Sequence, residues 1–123
     1  MNRLGWIRAP EHSLAQWDRL TALVAAVHAD GLDRTLVCGM GGSSLAPQVL
    51  AASAGRAGGA LHVLDSTDPA AVRAAERAHD PARTLFLIVS KSGTTLETLA
   101  FYRYFAARAR PDQFVAVTDP GSP

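Results

Sequence analysis

The sequence has one cysteine, Cys38, in 123 residues. No internal disulfide can form, so a reducing cytosol is the expected compartment. It also lacks an excess of either charge, since 12 basic and 11 acidic residues leave a formal net charge of +1. Nucleic-acid and membrane-surface binding usually need a basic patch, so neither partner is expected. No apolar run approaches the roughly 20 residues of a membrane helix. The first ten residues hold no apolar segment of signal-peptide length. No repeat of solenoid length is present. Charged residues are scarce at 19% and hydrophobic ones make up 48%, which excludes a disordered chain. The length suits one domain with an ordinary core.

What is there alternates. Residues 1–10 read as a lead-in segment. Pro10 and Ser13 announce a helix, with Ser13 and Gln16 at capping-box spacing. Leu14, Trp17, Leu20, Leu23, Val24 and Val27 recur at helical spacing up to a stop at Asp30-Gly31, and Trp17 reads as a core residue. His28 reads as a surface group near the helix end. Thr35–Cys38 is a short buried strand, with Cys38 as a structural thiol. Leu45–Ala54 reads as a helix with Pro47 in its first turn. Residues 55–59 are a glycine-rich loop. Leu61–Leu64 is a second strand. Ser66, Thr67 and Asp68 can cap the next helix, which has Pro69 at its first position and runs to about His79. Leu85–Val89 is a third strand, Leu96–Ala109 a fourth helix and Phe114–Val117 a fourth strand. Arg103, Arg108 and Arg110 read as a solvated helix end. Phe101 and Phe105 share a core face of their helix, while Tyr102 and Tyr104 are expected to be partly exposed.

Strands alternating with helices imply right-handed βαβ units and a parallel sheet covered on both faces. The strands are continuous apolar runs, as buried parallel strands require. Ligands of such sheets bind at the carboxyl ends of the strands. Two turns lie there. Gly39-Met40-Gly41-Gly42-Ser43-Ser44 is neither a dinucleotide fingerprint nor a Walker A loop, because Ser44 replaces the third glycine and no Gly-Lys-Ser/Thr follows. Its glycines permit close backbone approach and Ser43 offers a hydroxyl at a helix start; a plain strand-to-helix turn remains open as a reading. Ser90-Lys91-Ser92-Gly93-Thr94-Thr95 is more specific. Four hydroxyls, one glycine and the free N–H groups of a helix start suit a phosphate. Thr94 and Glu97 also fit a capping box, which would explain those two and leave Ser90, Ser92 and Thr95 without a purpose.

The two turns together resemble the signatures of phosphoglucose isomerase. Val37–Pro47 resembles the first and Ser90–Thr98 the second, with Leu64–Pro69 fitting between them. The resemblance runs from about Leu14 to Pro120 and looks most like the bacterial branch that occurs fused to transaldolase. It implies the first sugar-isomerase (SIS) domain of that enzyme, a flavodoxin-like three-layer α/β/α sandwich spanning residues 11–123. A last strand followed by loop residues leaves no covering helix, so the domain is expected to be incomplete at its C-terminus and to be a fragment of a longer enzyme.

The resemblance also implies roles. Ser90, Lys91 (mainly by its backbone), Ser92 and Thr95 would grip the phosphate of glucose 6-phosphate or fructose 6-phosphate, with Thr94 adjacent. Gly42 and Ser43 would lie against the sugar. Glu97 matches an acid that supports a catalytic histidine. Two positions depart from the family pattern, Gly93 where the eukaryotic type has a bulky residue and Ala46 where the family has glycine. The family reaction interconverts aldose and ketose through a cis-enediol and needs a carboxylate base, ring-opening groups and an arginine. None of these is matched in the chain. Glu11, Glu76 and Glu97 do not match the base, and His12, His28, His62 and His79 do not match the histidine. No catalytic residue, metal or cofactor is therefore expected, and the chain alone is expected to be inactive. The expected partners are a sugar phosphate and the remainder of the isomerase or a homodimer partner. Two further readings stand beside this one. One is a free-standing SIS module that binds a sugar phosphate and regulates a partner. The other is a different phosphosugar isomerase, for which Glu97 and His62 are the available acid/base candidates.

Overall fold

The computed structural model describes residues 4–55 and 60–123 and falls into two compact units, Met1–Gly31 and Leu32–Pro123. Part of the lead-in segment and most of the glycine-rich loop lie outside the described residues.

In the first unit a 3-10 turn at Gly5–Arg8 leads into α1 (Ala9–Ala15), and α2 (Trp17–Ala29) follows. The sequence suggested one helix capped at Ser13. Pro10 starts helical structure earlier than that, so Ser13 lies inside α1 and forms no capping box. Gln16 is the N-cap of α2 and makes no side-chain cap bond. The expected core position of Trp17 is also overturned, as it is 64% exposed. Leu14, Leu20, Leu23 and Val24 of the same stripe are exposed too. A seven-residue helix and one turn are all this unit has to set against that stripe, too little to cover it.

The second unit is an α/β fold. Its elements are β1 (Arg34–Gly39), α3 (Gly42–Ala54), β2 (Ala60–Leu64), α4 (Pro69–Ala78), β3 (Thr84–Val89), α5 (Leu96–Ala106) and β4 (Phe114–Val117). All pairings are parallel, in the order β2-β1-β3-β4. This is the flavodoxin-like order. Successive right-handed crossovers then put α3 on one face and α4 and α5 on the other. Tyr104 of α5 donates to Glu76 Oε2 of α4 at 2.7 Å, as neighbours on one face can.

The core lies beneath α4 and α5. Leu36 and Cys38 of β1, Leu64 of β2 and Phe86 of β3 meet Val72, Phe101 and Phe105 there. Alternation along each strand sends these residues to one face. Phe101 and Phe105 are 1% and 0% exposed, and Tyr102 is 43% exposed, as their helical spacing suggested. Gln113 is buried and fully used. Its Nε2 donates to Pro81 O at 2.6 Å and Thr84 O at 2.9 Å, and its Oε1 accepts from Arg110 N–H at 2.9 Å. It ties the entries of β3 and β4 together.

Candidate anion-binding turns

Strand order decides what meets what. The connection after β1 runs toward β2, and that after β3 runs the other way, toward β4. The crevice between β1 and β3 is therefore the point where the winding reverses, which is where ligands of such sheets bind. The two turns singled out in the sequence both open there. Gly39 and Val89, the last residues of β1 and β3, are direct partners in the ladder. A Cβ on Gly39 would lie 3.0 Å from Ser43 Cβ and 3.1 Å from Val89 O, so glycine lets the two turns leave the sheet side by side without crowding.

The first turn is tighter than expected. Gly41, at φ +58°, is the N-cap of α3, and the helix starts at Gly42 rather than Leu45. Pro47 therefore lies inside the helix and not in its first turn. Its ring has no N–H to give to the carbonyl four residues back, that of Ser43. Ser44 is 3% exposed and donates Oγ to Gly41 O at 2.8 Å, so its hydroxyl shapes the turn. Gly42 is exposed and Ser43 half-buried. The Ser43 hydroxyl makes no hydrogen bond among the described residues.

The second turn connects β3 to α5. Ser90 is 7% exposed. Its N–H donates to Val117 O at 3.0 Å, which extends the ladder by a rung, and its Oγ meets Thr95 Oγ1 at 2.9 Å. Gly93 N–H donates to Ser90 O at 3.2 Å. Thr94 donates both N–H and Oγ1 to Ser92 Oγ, at 3.2 and 2.9 Å. This corrects the capping box. The N-cap is Thr95, it makes no side-chain cap bond, and Thr94 is turned to Ser92. Glu97 is thus the second helical residue, half-buried, and not the third. The hydroxyls bond one another across the turn, which leaves the first N–H groups of α5 uncapped by any side chain. Helix α4 differs, because Asp68 Oδ1 accepts from Ala70 N–H at 2.7 Å, as Asp68-Pro69 suggested. Lys91, the chain's only lysine, is exposed beside the uncapped start. An open rim of N–H groups, the donor hydroxyls of Ser92 and Ser43, a cation and the positive end of a helix are features that suit an oxyanion.

The remaining acid/base candidates do not gather here. His62 is exposed on the edge strand β2, opposite Leu36, and meets His79 edge-to-face at 4.4 Å. Glu97 stands beyond β3, so His62 and Glu97 are not brought together. Glu76 is held below the usual carboxylate range, first by the Tyr104 hydroxyl and then by Arg108, whose Nε donates to it at 2.8 Å. Among the described residues no group of three or more His, Cys, Asp or Glu is placed to hold a metal ion. The signal that sequence reading passed over was the Asp119–Ser122 segment after β4, which lies against Lys91.

The profile of the Phosphoglucose isomerase family matches residues 24–113. The chain belongs to the phosphoglucose isomerase family. A glucose-6-phosphate isomerase of Thermus thermophilus is 38% identical over 92 residues, covering 69% of this chain and 22% of that relative. Another, from Geobacter sp. strain M21, is 36% identical and covers 95% of this chain and 27% of its own length. In the crystal structure of the Chlamydia trachomatis glucose-6-phosphate isomerase the same fold recurs, with a TM-score of 0.81 and 30% identity across 92% of this chain and 23% of that one. A hypothetical protein whose crystal structure comes from Thermus thermophilus is similar at a TM-score of 0.75 and 33% identity, across 97% of this chain and 30% of its own. The phosphoglucose isomerase match takes in both turns. The chain spans about a quarter of the curated relatives it matches.

Proposed function

We propose that this chain is the sugar-phosphate-binding part of a glucose-6-phosphate isomerase. The observation that carries the reading is the uncapped start of α5 at the β1/β3 crevice, ringed by hydroxyls that bond one another. Ser92, Thr95 and the backbone of Lys91 take the phosphate of glucose 6-phosphate or fructose 6-phosphate. Ser90 and Thr94 hold that loop in shape. Gly42 and Ser43, across the crevice, face the sugar. Glu97 stands at the same helix start, where a carboxylate can orient a histidine supplied by the rest of the enzyme. In this reading residues 11–123 belong to one SIS domain of a longer cytoplasmic enzyme, completed by its remainder or by a second subunit.

The chain binds without transforming. Moving a proton between two carbons needs a carboxylate free to accept it. Glu76 is engaged by Tyr104 and Arg108. The base, the ring-opening groups and the enediolate-stabilising arginine belong to the remainder.

Calorimetry with fructose 6-phosphate tests this. Hydrogen bonds to charged groups are worth about 1.5–3 kcal/mol each, so Ser92→Ala with Thr95→Ala is expected to weaken binding by about a hundredfold. Thr95 makes no cap bond, so the variant keeps its helix, which circular dichroism checks. Equal affinity of parent and double variant rejects the assignment.

A further inference from the structure

Residues 118–123 follow β4 and fold back on the Ser90–Thr95 turn. Three donors converge there on one acceptor, the carbonyl oxygen of Lys91. They are the Asp119 N–H at 3.2 Å, Thr118 Oγ1 at 3.3 Å and Ser122 Oγ at 3.2 Å. The segment is itself closed into a turn by Ser122 N–H donating to Asp119 O at 3.1 Å. Pro120 stands second in that turn and Gly121, at φ +80°, third, the residue types a type II turn requires. On the other side Gly93 has φ +68°, and a Cβ there would lie 3.1 Å from Ser122 Cβ. Glycine at 93 admits this approach, and a rigid Asp-Pro-Gly-Ser turn brings Ser122 to it.

The consequence follows from peptide geometry. In a trans peptide the C=O and the next N–H point to opposite sides of the chain. Fastening the Lys91 carbonyl to the tail therefore aims the Ser92 N–H away from the tail. Ser92 Oγ already accepts twice from Thr94, at 3.2 and 2.9 Å, which leaves its own proton to donate.

We propose that Thr118 and Ser122 are positioning residues for the anion site, clamping the Lys91 carbonyl so that the Ser92 N–H is fixed as a phosphate donor before ligand arrives. They touch the ligand nowhere and act through the Lys91–Ser92 peptide. The inference rests on the sugar-phosphate reading of the Ser90–Thr95 turn. It adds that the site is built from three segments, one of them downstream of the last strand. Preorganised donors bind more tightly than donors that must be ordered on binding.

The test measures fructose 6-phosphate affinity by calorimetry and the Ser92 amide by ¹H–¹⁵N correlation, using the full chain, Thr118→Val with Ser122→Ala, and the singles Ser122→Ala and Ser122→Thr. Loss of the two hydroxyl bonds is expected to weaken binding by about tenfold. The ligand-induced shift of the Ser92 amide is expected to shrink with it. Ser122→Thr keeps a hydroxyl and is expected to bind within about twofold of the parent. Both hydroxyl bonds are exposed, so the urea midpoint is expected to stay put. If the parent binds and the double variant binds equally well, the clamp is wrong and the sugar-phosphate site stands. The clamp also fails if Ser122→Thr loses as much as Ser122→Ala. A parent that does not bind fructose 6-phosphate overturns the sugar-phosphate reading and the clamp with it. Should the double variant fail to fold, the two single variants make the same comparison.

Discussion

Thr98 and Thr84 are both buried threonines, 1% and 0% exposed, and differ in one respect. Thr84 Oγ1 donates to Asp80 O at 2.7 Å. Thr98 Oγ1 is the buried side-chain atom without a hydrogen-bond partner among the described residues. It lies on the face of α5 that also buries Phe101 and Phe105. A hydroxyl desolvated without a partner costs about 1–3 kcal/mol. Valine keeps the branched shape, replaces the hydroxyl by a methyl and has nearly the same helix propensity. Thr98→Val is therefore expected to stabilise the fold by about 1 kcal/mol, after allowing for imperfect packing of the added methyl. For a chain of this length that raises the thermal midpoint by about 4 °C. Thr84→Val makes the opposite change, removing the donor to Asp80 O, and is expected to lower stability by about 1–2 kcal/mol. Scanning calorimetry on parent and both variants, with urea titration to confirm an unchanged slope, gives the comparison. If Thr98→Val is destabilised as much as Thr84→Val, the Thr98 hydroxyl has a partner in solution and the reasoning is refuted.

Two further outcomes are expected. Burial pushes the His79 pKa below its ordinary value, and the nearby His62 and Arg34 act the same way against the bond to Ala75 O. The folded state then binds fewer protons than the unfolded one, so stability is full above about pH 6.5 and falls as pH drops through the folded pKa. Urea midpoints between pH 8 and 5 should show this fall, and His79→Gln should flatten it; a His79→Gln curve parallel to the parent's would refute the assignment. Burial also pushes the Cys38 thiol up to about 12. The native chain should therefore react with a disulfide reagent at pH 8 only as fast as it opens, and rapid labelling without urea would contradict the buried site.

The strands and α4 were legible to within a residue, for identifiable reasons, whereas α5 ends at Ala106, three residues before the end read for it. Buried parallel strands are continuous apolar runs, and β4 was read at its observed bounds. Asp68-Pro69 is an unambiguous helix start. Strand order was implied only by the family resemblance, because pairing of β1 with both β2 and β3 depends on crossovers that no local pattern encodes. That order is what sets the two candidate turns side by side. Helix α3 began earlier than read because Gly41 and Gly42, residues that favour turns, here open the helix. The stripe on α2 shows the limit of periodicity, which reports an amphipathic helix and not what covers it. Thr94 and Thr95 were ambiguous as caps because a hydroxyl's choice between backbone and neighbouring hydroxyl is made in three dimensions. The contact of Ser122 with Lys91 spans 31 positions and leaves no mark on local spacing.

The pairing of Gly39 with Val89 has a wider meaning. A slip of one residue between β1 and β3 would shift one turn past the other by about 3.3 Å and invert every side chain of the moving strand. Phe86 would then leave the core for the opposite face if β3 moved, and Cys38 if β1 did. The apolar residues that forbid this slip belong to the core, yet they act as the gauge of the crevice. A change deep in the sheet that loosens the register would disturb the candidate anion site without altering any residue in it, and variants that repack β1 and β3 would report on the geometry of the two turns as well as on stability.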